Sequence, residues 1–449
     1  MRKLVIASAL AAATLLPLHG VVAETAVPAA PAPAASVITL PSATPEEEGF
    51  DSTQLAKVNA AMHAYVDSGK LAGIQTMVVR HGHVVQFDNY GKGTATGPMA
   101  PDLIFRMYSQ TKPTIAVAMM ILYEQCKWTL DDPVSKFIPA FANLQVVSDP
   151  DSKEPSKLVA MKHVPNMREL MTHSAGFGYG LASDNYVDLQ FQQKSVLRSN
   201  GLQEMVDKIA TIPLRYQPGT RWSYSSAVDI QGYIIEKLSG MRLADFMKKN
   251  IYDPLKMTDS GFYVPAERVS QLASVYFSTP TGSLIEITPA MSDRLQDFTK
   301  VPAMDSGGGG SVGSANDYAR FCQMILNKGE LEGARILQPA SVDLLTSNII
   351  ESSVAPHASK RDPFPIGGDT IGFAMNMGLM KNAGKAATGA ANGSVWWGGA
   401  AGTWFWIDPK NDLFFLGNIQ HFGGDMTGSD RISIMSQMLV YPALTHPEK

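Results

Sequence analysis

The sequence predicts an α+β domain: one antiparallel sheet built from both chain ends with flanking helices, plus an inserted, mainly helical subdomain. Three observations carry this prediction. Strand patterns occur early, in IQTMVVRHGHVVQFDNYG, and late, in SVWWGGAAGTWFWIDP and LFFLGNIQ. Between them, apolar residues recur mostly at helical spacing. Hydrophobic side chains make up 45% of the 449 residues and charged ones 17%, which suits a sizeable packed core and not a disordered chain.

The N-terminus reads MRKLVIASALAAATLLPLHGVVA. Arg2 and Lys3 form a cationic start, an apolar stretch runs to Leu18, and Val21-Val22-Ala23 is a small-residue cleavage site. Residues 1–23 are expected to be a signal peptide, too short and too interrupted to be a membrane span. The product is then periplasmic or secreted, with no stable membrane span after cleavage. Residues 24–45, rich in Pro and Ala, read as an extended tether.

The folded domain is expected over 46–449. Its α/β part covers about 46–106 and 305–449, and its helical part about 107–304. Asp51 or Ser52 caps a helix that stops at Gly69, and a hairpin turns at Arg80-His81-Gly82. Further helices follow from Met107 to about Leu122, in MRELMTHSAGF, in GLQEMVDKIATIPL, in VDIQGYIIEKLSGMRLADFMKKNIY with a break at Gly240, and in SANDYARFCQMILNKG. The late strands join at Asp408-Pro409-Lys410-Asn411, and RISIMSQMLVYPAL closes the chain as a helix.

Composition excludes some function classes. Net charge is −4 and no basic block is present, so nucleic acid is not an expected partner. Nine scattered His, no C-x-x-C and no H-E-x-x-H give no indication of a metal site. Cys126 and Cys322 lie in apolar, helix-like text. They could pair in an oxidising compartment, but two buried free thiols is the reading that text favours.

Four stretches could carry chemistry. In RMYSQTKPTIAVAMMIL, Ser109 and Lys112 share a helix face at i, i+3, and Ser109 sits in the first turn, where free N–H groups favour an oxyanion. Apolar neighbours would desolvate Lys112 and make it a usable base. The alternative is a capping serine with a solvated lysine. In RWSYSSAVDIQGYIIEKLSG, Tyr224 stands in a polar turn before a helix and could relay protons, or simply pack there. In Val395-Trp396-Trp397-Gly398-Gly399-Ala400, paired glycines in a strand suggest close approach by a ligand or another backbone, or else a bend. SGGGGSVG contains a G-x-S-x-G around Ser311. A nucleophile elbow needs a preceding apolar strand, and TKVPAMDSGGGG offers none, although His357 and His421 follow in a usable order. A tight glycine crossing before a helix capped by Ser314 fits better.

The first three stretches, in this order, resemble the serine β-lactamase and penicillin-binding protein superfamily, in its class C β-lactamase-like branch. LDDPVSKFIPAF, RELMTHSAGF, PLKMTDSGF and SGGGGSVGSANDYARF add to the resemblance, which spans roughly Glu46 to Leu444. It implies a β-lactamase-like fold and an acyl-enzyme on Ser109, with Lys112 as activator and Tyr224 passing the proton to the leaving group. It also implies an oxyanion hole from the N–H groups of Ser109 and Ala400, beside Trp397, Gly398 and Gly399, and no cofactor. Two positions depart from the β-lactamase pattern. Ser226 replaces the Asn of Tyr-x-Asn, and Trp397 replaces the Lys of Lys-Thr-Gly, exchanging a cation for an apolar face. Trp-x-Gly is similar to the family VIII carboxylesterases. The expected function is therefore a serine hydrolase, a carboxylesterase acting on a small-molecule ester, with an amide substrate as the variant. A β-lactamase or D-amino-acid peptidase on the same scaffold is the first alternative, and a non-catalytic penicillin-binding-like module the second.

Overall fold

The computed structural model describes residues 40–279, 281–291, 296–356, 366–386, 388–422 and 430–447. The expected signal peptide, residues 24–39 of the expected tether, and His357 lie outside the described residues. Leu40 is buried and the Ala43 N–H donates to the Val84 carbonyl at 3.2 Å, so residues 40–45, expected in the tether, pack onto the folded domain.

The main sheet has seven strands: β1 (Gly73–Arg80), β2 (His83–Gly91), β3 (Ile371–Phe373), β4 (Gly378–Met380), β5 (Val395–Gly398), β6 (Trp404–Asp408) and β7 (Leu413–Asn418). Their order is β3-β4-β5-β6-β7-β1-β2 and every neighbouring pair is antiparallel. The sheet is thus assembled from both chain ends, as the sequence predicts. The join is β7 on β1, with Gln75 opposite Asn418 and Arg80 opposite Leu413. The β1–β2 turn falls at His81 and Gly82, both at positive φ (49° and 80°), the conformation a two-residue hairpin turn with right-handed twist requires.

One stretch differs from its expectation. SVWWGGAAGTWFWIDP forms two strands, β5 and β6, because the Gly399-Ala400-Ala401-Gly402 break folds it back on itself, with Gly402 at φ 89°. The glycines mark a hairpin end within this text, the bend that the sequence offers as the alternative reading.

Both sheet faces are covered, which explains the nearly continuous apolar strands. Trp404, Trp406 and Phe415 face helices α1 (Ser52–Asp67) and the C-terminal Asp430–Val440 helix, through Leu55, Val58, Met62, Ile432 and Val440. Phe405, Ile407, Phe414 and Leu416 face the larger core, which includes α2 (Lys112–Glu124), α3 (Ala227–Ser239) and α4 (Ala315–Leu326). The Asp51 carboxylate caps α1 by accepting from Thr53 and Gln54 N–H. Gly240, at φ 70°, ends α3 as a left-handed cap.

The helical part also holds short ladders, Gln145–Val147 with Leu158–Ala160 and Val275–Ser278 with Leu284–Ile287, in text that reads as loop. Three- and four-residue pairs are too short to show a period. The cysteines depart from expectation too. Both are unpaired and Cys322 is buried in α4, but Cys126 is exposed, just past the end of α2 at φ 55°. Among the described residues, no helix is long and apolar enough to cross a membrane.

Candidate active site

The site is built on the junction between sheet and helical part. Ser109 lies in a 3-10 turn, Tyr108–Thr111, and Lys112 is the first residue of α2. This tightens the expected helical turn but keeps serine and lysine on one face. Tyr108 holds φ 44°, an uncommon conformation for a large side chain and a local strain directly before Ser109. Its ring is fixed edge-on by Phe298 at 5.7 Å and Phe422 at 5.5 Å.

Lys112 is fully buried, not the solvated lysine of the alternative reading. Its Nζ donates to Ser109 Oγ at 3.2 Å, Tyr179 OH at 3.1 Å and the Gly308 carbonyl at 2.5 Å. These three acceptors match the three hydrogens of an ammonium. Nζ also lies over the Tyr224 ring, 4.6 Å from its centroid, and 5.2 Å from that of Tyr179. Tyr224, in the segment entering α3, donates its hydroxyl to Ser109 Oγ at 2.7 Å. Ser109, Lys112 and Tyr224 are therefore brought together.

Strand β5 supplies the opposite wall. Gly399 crosses the Met107 backbone so closely that a Cβ would meet the Met107 carbonyl at 2.3 Å and Thr403 Oγ1 at 2.5 Å. Thr403 Oγ1 in turn donates to that carbonyl at 3.3 Å. Ala400 follows at the exposed hairpin end. Neither the Ser109 nor the Ala400 N–H makes a backbone hydrogen bond among the described residues. Trp397 packs 5.8 Å from Tyr224 and 5.6 Å from Phe373, and its buried Nε1 has no hydrogen-bond partner among the described residues. With Trp222, Ile350 and Val354 it forms an apolar, aromatic lining beside the serine.

Two expected residues behave differently. Ser226 is buried and donates its hydroxyl to the Gly178 carbonyl at 3.0 Å, while its N–H binds the same oxygen at 3.0 Å. It pins α3 to the 178 loop, a correction to its expected place among the substrate-binding side chains. Ser311 is buried against Thr111, Oγ to Oγ1 at 2.6 Å, and its carbonyl accepts the Met107 N–H at 2.9 Å. The strand that follows it, Val312–Gly313, pairs with Phe105–Arg106. The G-x-S-x-G is thus a brace beneath the Ser109 turn, and Gly307 crosses α3 where a Cβ would sit 2.5 Å from the Val228 carbonyl.

Sequence reasoning missed three residues. Tyr179 is buried, and burial, then the Asp229 carboxylate, pushes its phenol well above the usual tyrosine range. Glycines at 176, 178 and 180 around it were the available signal. His173 is buried, and desolvation, then the charge of Lys112, hold it well below the usual histidine range, so it is neutral. Its Nδ1 accepts the Ser225 N–H at 3.2 Å and its carbonyl accepts the Ser223 N–H at 2.9 Å, bracketing Tyr224 on both sides. Asp229, fully buried on the first turn of α3, is raised above the usual carboxylate range by burial. Among the described residues, no group of three or more His, Cys, Asp or Glu could hold a metal ion.

A family model described as Beta-lactamase matches residues 58–435. The chain belongs to the Beta-lactamase family. Protein Rv1367c of Mycobacterium tuberculosis is 30% identical over 377 residues, 81% of this chain and 89% of the relative. Esterase EstB of Burkholderia gladioli is 29% identical over 402 residues, 84% of this chain and 94% of EstB. Among solved structures, EstCE1, described as a hydrolase with promiscuous acyltransferase activity, superposes with a TM-score of 0.71 at 26% identity, covering 87% of this chain and 99% of EstCE1. The protein is thus a serine hydrolase of β-lactamase fold with esterase relatives.

Proposed function

We propose that the protein is a carboxylesterase that acts through an acyl-enzyme on Ser109. The observation that carries this is the meeting of Lys112 Nζ and Tyr224 OH on Ser109 Oγ. With the pair one proton short, a Tyr224 phenolate beside the Lys112 ammonium, the Ser109 proton passes to the Tyr224 oxygen as Oγ attacks the ester carbonyl. The N–H groups of Ser109 and Ala400 hold the oxyanion. The pair returns the proton to the leaving alkoxide, and the alcohol departs. Water then attacks the acyl-enzyme by the same route, releasing the acid and Ser109.

Trp397 supports an ester over a β-lactam or peptide substrate. It places an aromatic face where β-lactamases carry the lysine of Lys-Thr-Gly, so no cation from that position meets a substrate carboxylate. The esterase EstB is consistent with ester chemistry, and the hydrolase and acyltransferase EstCE1 with an acyl-enzyme. An intact serine, lysine and tyrosine set argues against a purely binding module. Hydrolysis of p-nitrophenyl butyrate by wild type, Ser109→Ala and Ser311→Ala tests the nucleophile, and parallel turnover of nitrocefin tests the substrate class. Full activity in Ser109→Ala, or nitrocefin turnover matching that of esters, overturns the proposal.

We also propose export to the periplasm or beyond, on the cationic, apolar and small-residue order of residues 1–23. N-terminal sequencing of the processed protein tests it, and a mature chain retaining Arg2 and Lys3 sinks it.

A further inference from the structure

The Ser109 reading leaves one buried charge without a task. Asp229 is fully buried. Its Oδ1 accepts from Ser306 Oγ at 2.5 Å and from the Gly308 N–H at 3.0 Å, and its Oδ2 has no hydrogen-bond partner among the described residues. The carbonyl of the same Gly308 accepts from Lys112 Nζ. A Cβ on Gly308 would meet Asp229 Oδ2 at 2.3 Å and Tyr179 OH at 2.6 Å. Gly308 is therefore wedged between carboxylate and phenol, with its N–H turned to Asp229 and its C=O to Lys112. A buried carboxylate with one bare oxygen is destabilising unless a nearby cation compensates it.

We propose that Asp229 is a positioning residue of the active site, which acts through Gly308 to set where the Lys112 amine sits and to hold its positive charge. The inference rests on the Ser109 reading. The groups that face Lys112 are Ser109 and Tyr224, Tyr179 and the neutral His173 from the 173–179 segment, Gly308 from the glycine run, and Asp229 from α3. Of the side chains facing Lys112, Asp229 is the carboxylate. A loop-capping role alone would need its shape and its accepting oxygen, but not its charge.

Asp229→Asn keeps the volume and an accepting Oδ1 and removes the charge. It is expected to lower kcat/KM for p-nitrophenyl butyrate about ten- to a hundredfold. It should also move the pH profile of kcat/KM to lower pH by about one unit, because a lost negative charge disfavours the cationic form of the proton-transfer pair. Ser306→Ala removes the hydrogen bond that most favours the ionised carboxylate, and is expected to move the profile the same way by less. A wild-type profile in Asp229→Asn overturns the inference. If Asp229→Asn fails to fold, a Lys112→Met background decides. The proposal expects Asp229→Asn to be tolerated once the lysine is gone, and a double variant that also fails to fold overturns it. Fluorophosphonate labelling of wild type separates the two levels. Unlabelled Ser109 removes the nucleophile reading and this inference with it, whereas labelled Ser109 with an unmoved Asp229→Asn profile removes only this inference.

Discussion

The Tyr224 hydroxyl donates to Ser109 Oγ at 2.7 Å, joining residues 115 positions apart, one in the segment entering α3 and one in the 3-10 turn before α2. Lys112 meets the same oxygen and lies over the Tyr224 ring. A phenol and an amine on one hydroxyl form a route for its proton, and the cation beside the ring favours negative charge on the phenol oxygen.

Tyr224→Phe removes this hydroxyl and keeps the ring contacts with His173, Trp222 and Trp397. The expected result is a fall of about a hundred- to ten-thousandfold in kcat/KM for p-nitrophenyl butyrate with little change in melting temperature. Steady-state kinetics and thermal unfolding on one preparation check both halves.

Ser109→Ala and Ser311→Ala are expected to separate chemistry from support. Ser109→Ala should lose at least about a thousandfold in kcat and all fluorophosphonate labelling. Ser311→Ala leaves Ser109 labelled and lowers stability by about 1–2 kcal/mol, since it breaks one buried hydrogen bond with Thr111. Equal loss of labelling in both variants contradicts this division.

Gly399→Ala drives a methyl group into the Met107 carbonyl and Thr403 Oγ1, both closer than any real Cβ contact. Backbone must move, and the backbone in question carries Ser109. Activity is expected to fall about tenfold or more, because small misplacements of reacting groups are costly. Gly393→Ala, at a site open around its Cβ position but with positive φ, is a control for strain away from the serine. Activity retained in Gly399→Ala at the level of Gly393→Ala would show that the crossing does not position Ser109.

His173 makes stability fall on acidification. Its proton affinity is depressed in the folded state, so the unfolded chain binds more protons between the two values. The stabilisation is complete above the ordinary histidine value of about 6.5 and is lost as pH drops below it, at up to about 1.4 kcal/mol per pH unit. His173→Asn, whose Oδ1 can take the place of Nδ1 at the Ser225 N–H, is expected to flatten the melting temperature against pH between about 6.5 and 4.5. An unchanged slope would mean that other groups carry the acid sensitivity.

Trp397→Ala opens the aromatic lining without touching Lys112 or Tyr224 oxygens. It is expected to raise KM for p-nitrophenyl butyrate more than it lowers kcat, the pattern of lost ground-state binding. A kcat effect larger than the KM effect would instead place Trp397 in the bond-making step.

Local pattern carried much of this protein. The i, i+3 spacing of Ser109 and Lys112, the Asp51 and Ser314 caps, the His81-Gly82 turn and the period-2 strands depend on residues a few positions apart, whose geometry the backbone dictates. Composition identified a folded enzyme-sized domain, and motif order pointed to its family. The glycine run was legible as a crossing because only glycine tolerates such an approach. Partnerships over long separations were not legible. Tyr179 and Gly308 reach Lys112 from 67 and 196 residues away, and His173 reaches Ser225 across 52. The glycines around Tyr179 and Gly308 signal tight backbone there, but nothing local says that Lys112 is what they approach. Ser226 shows the same limit in reverse: its motif position suggested the substrate side, but packing turned its hydroxyl to Gly178. Local sequence determined which elements form and which serine is poised. Tertiary packing alone decided which buried groups converge on it, because burial and charge depend on what the folded chain brings alongside.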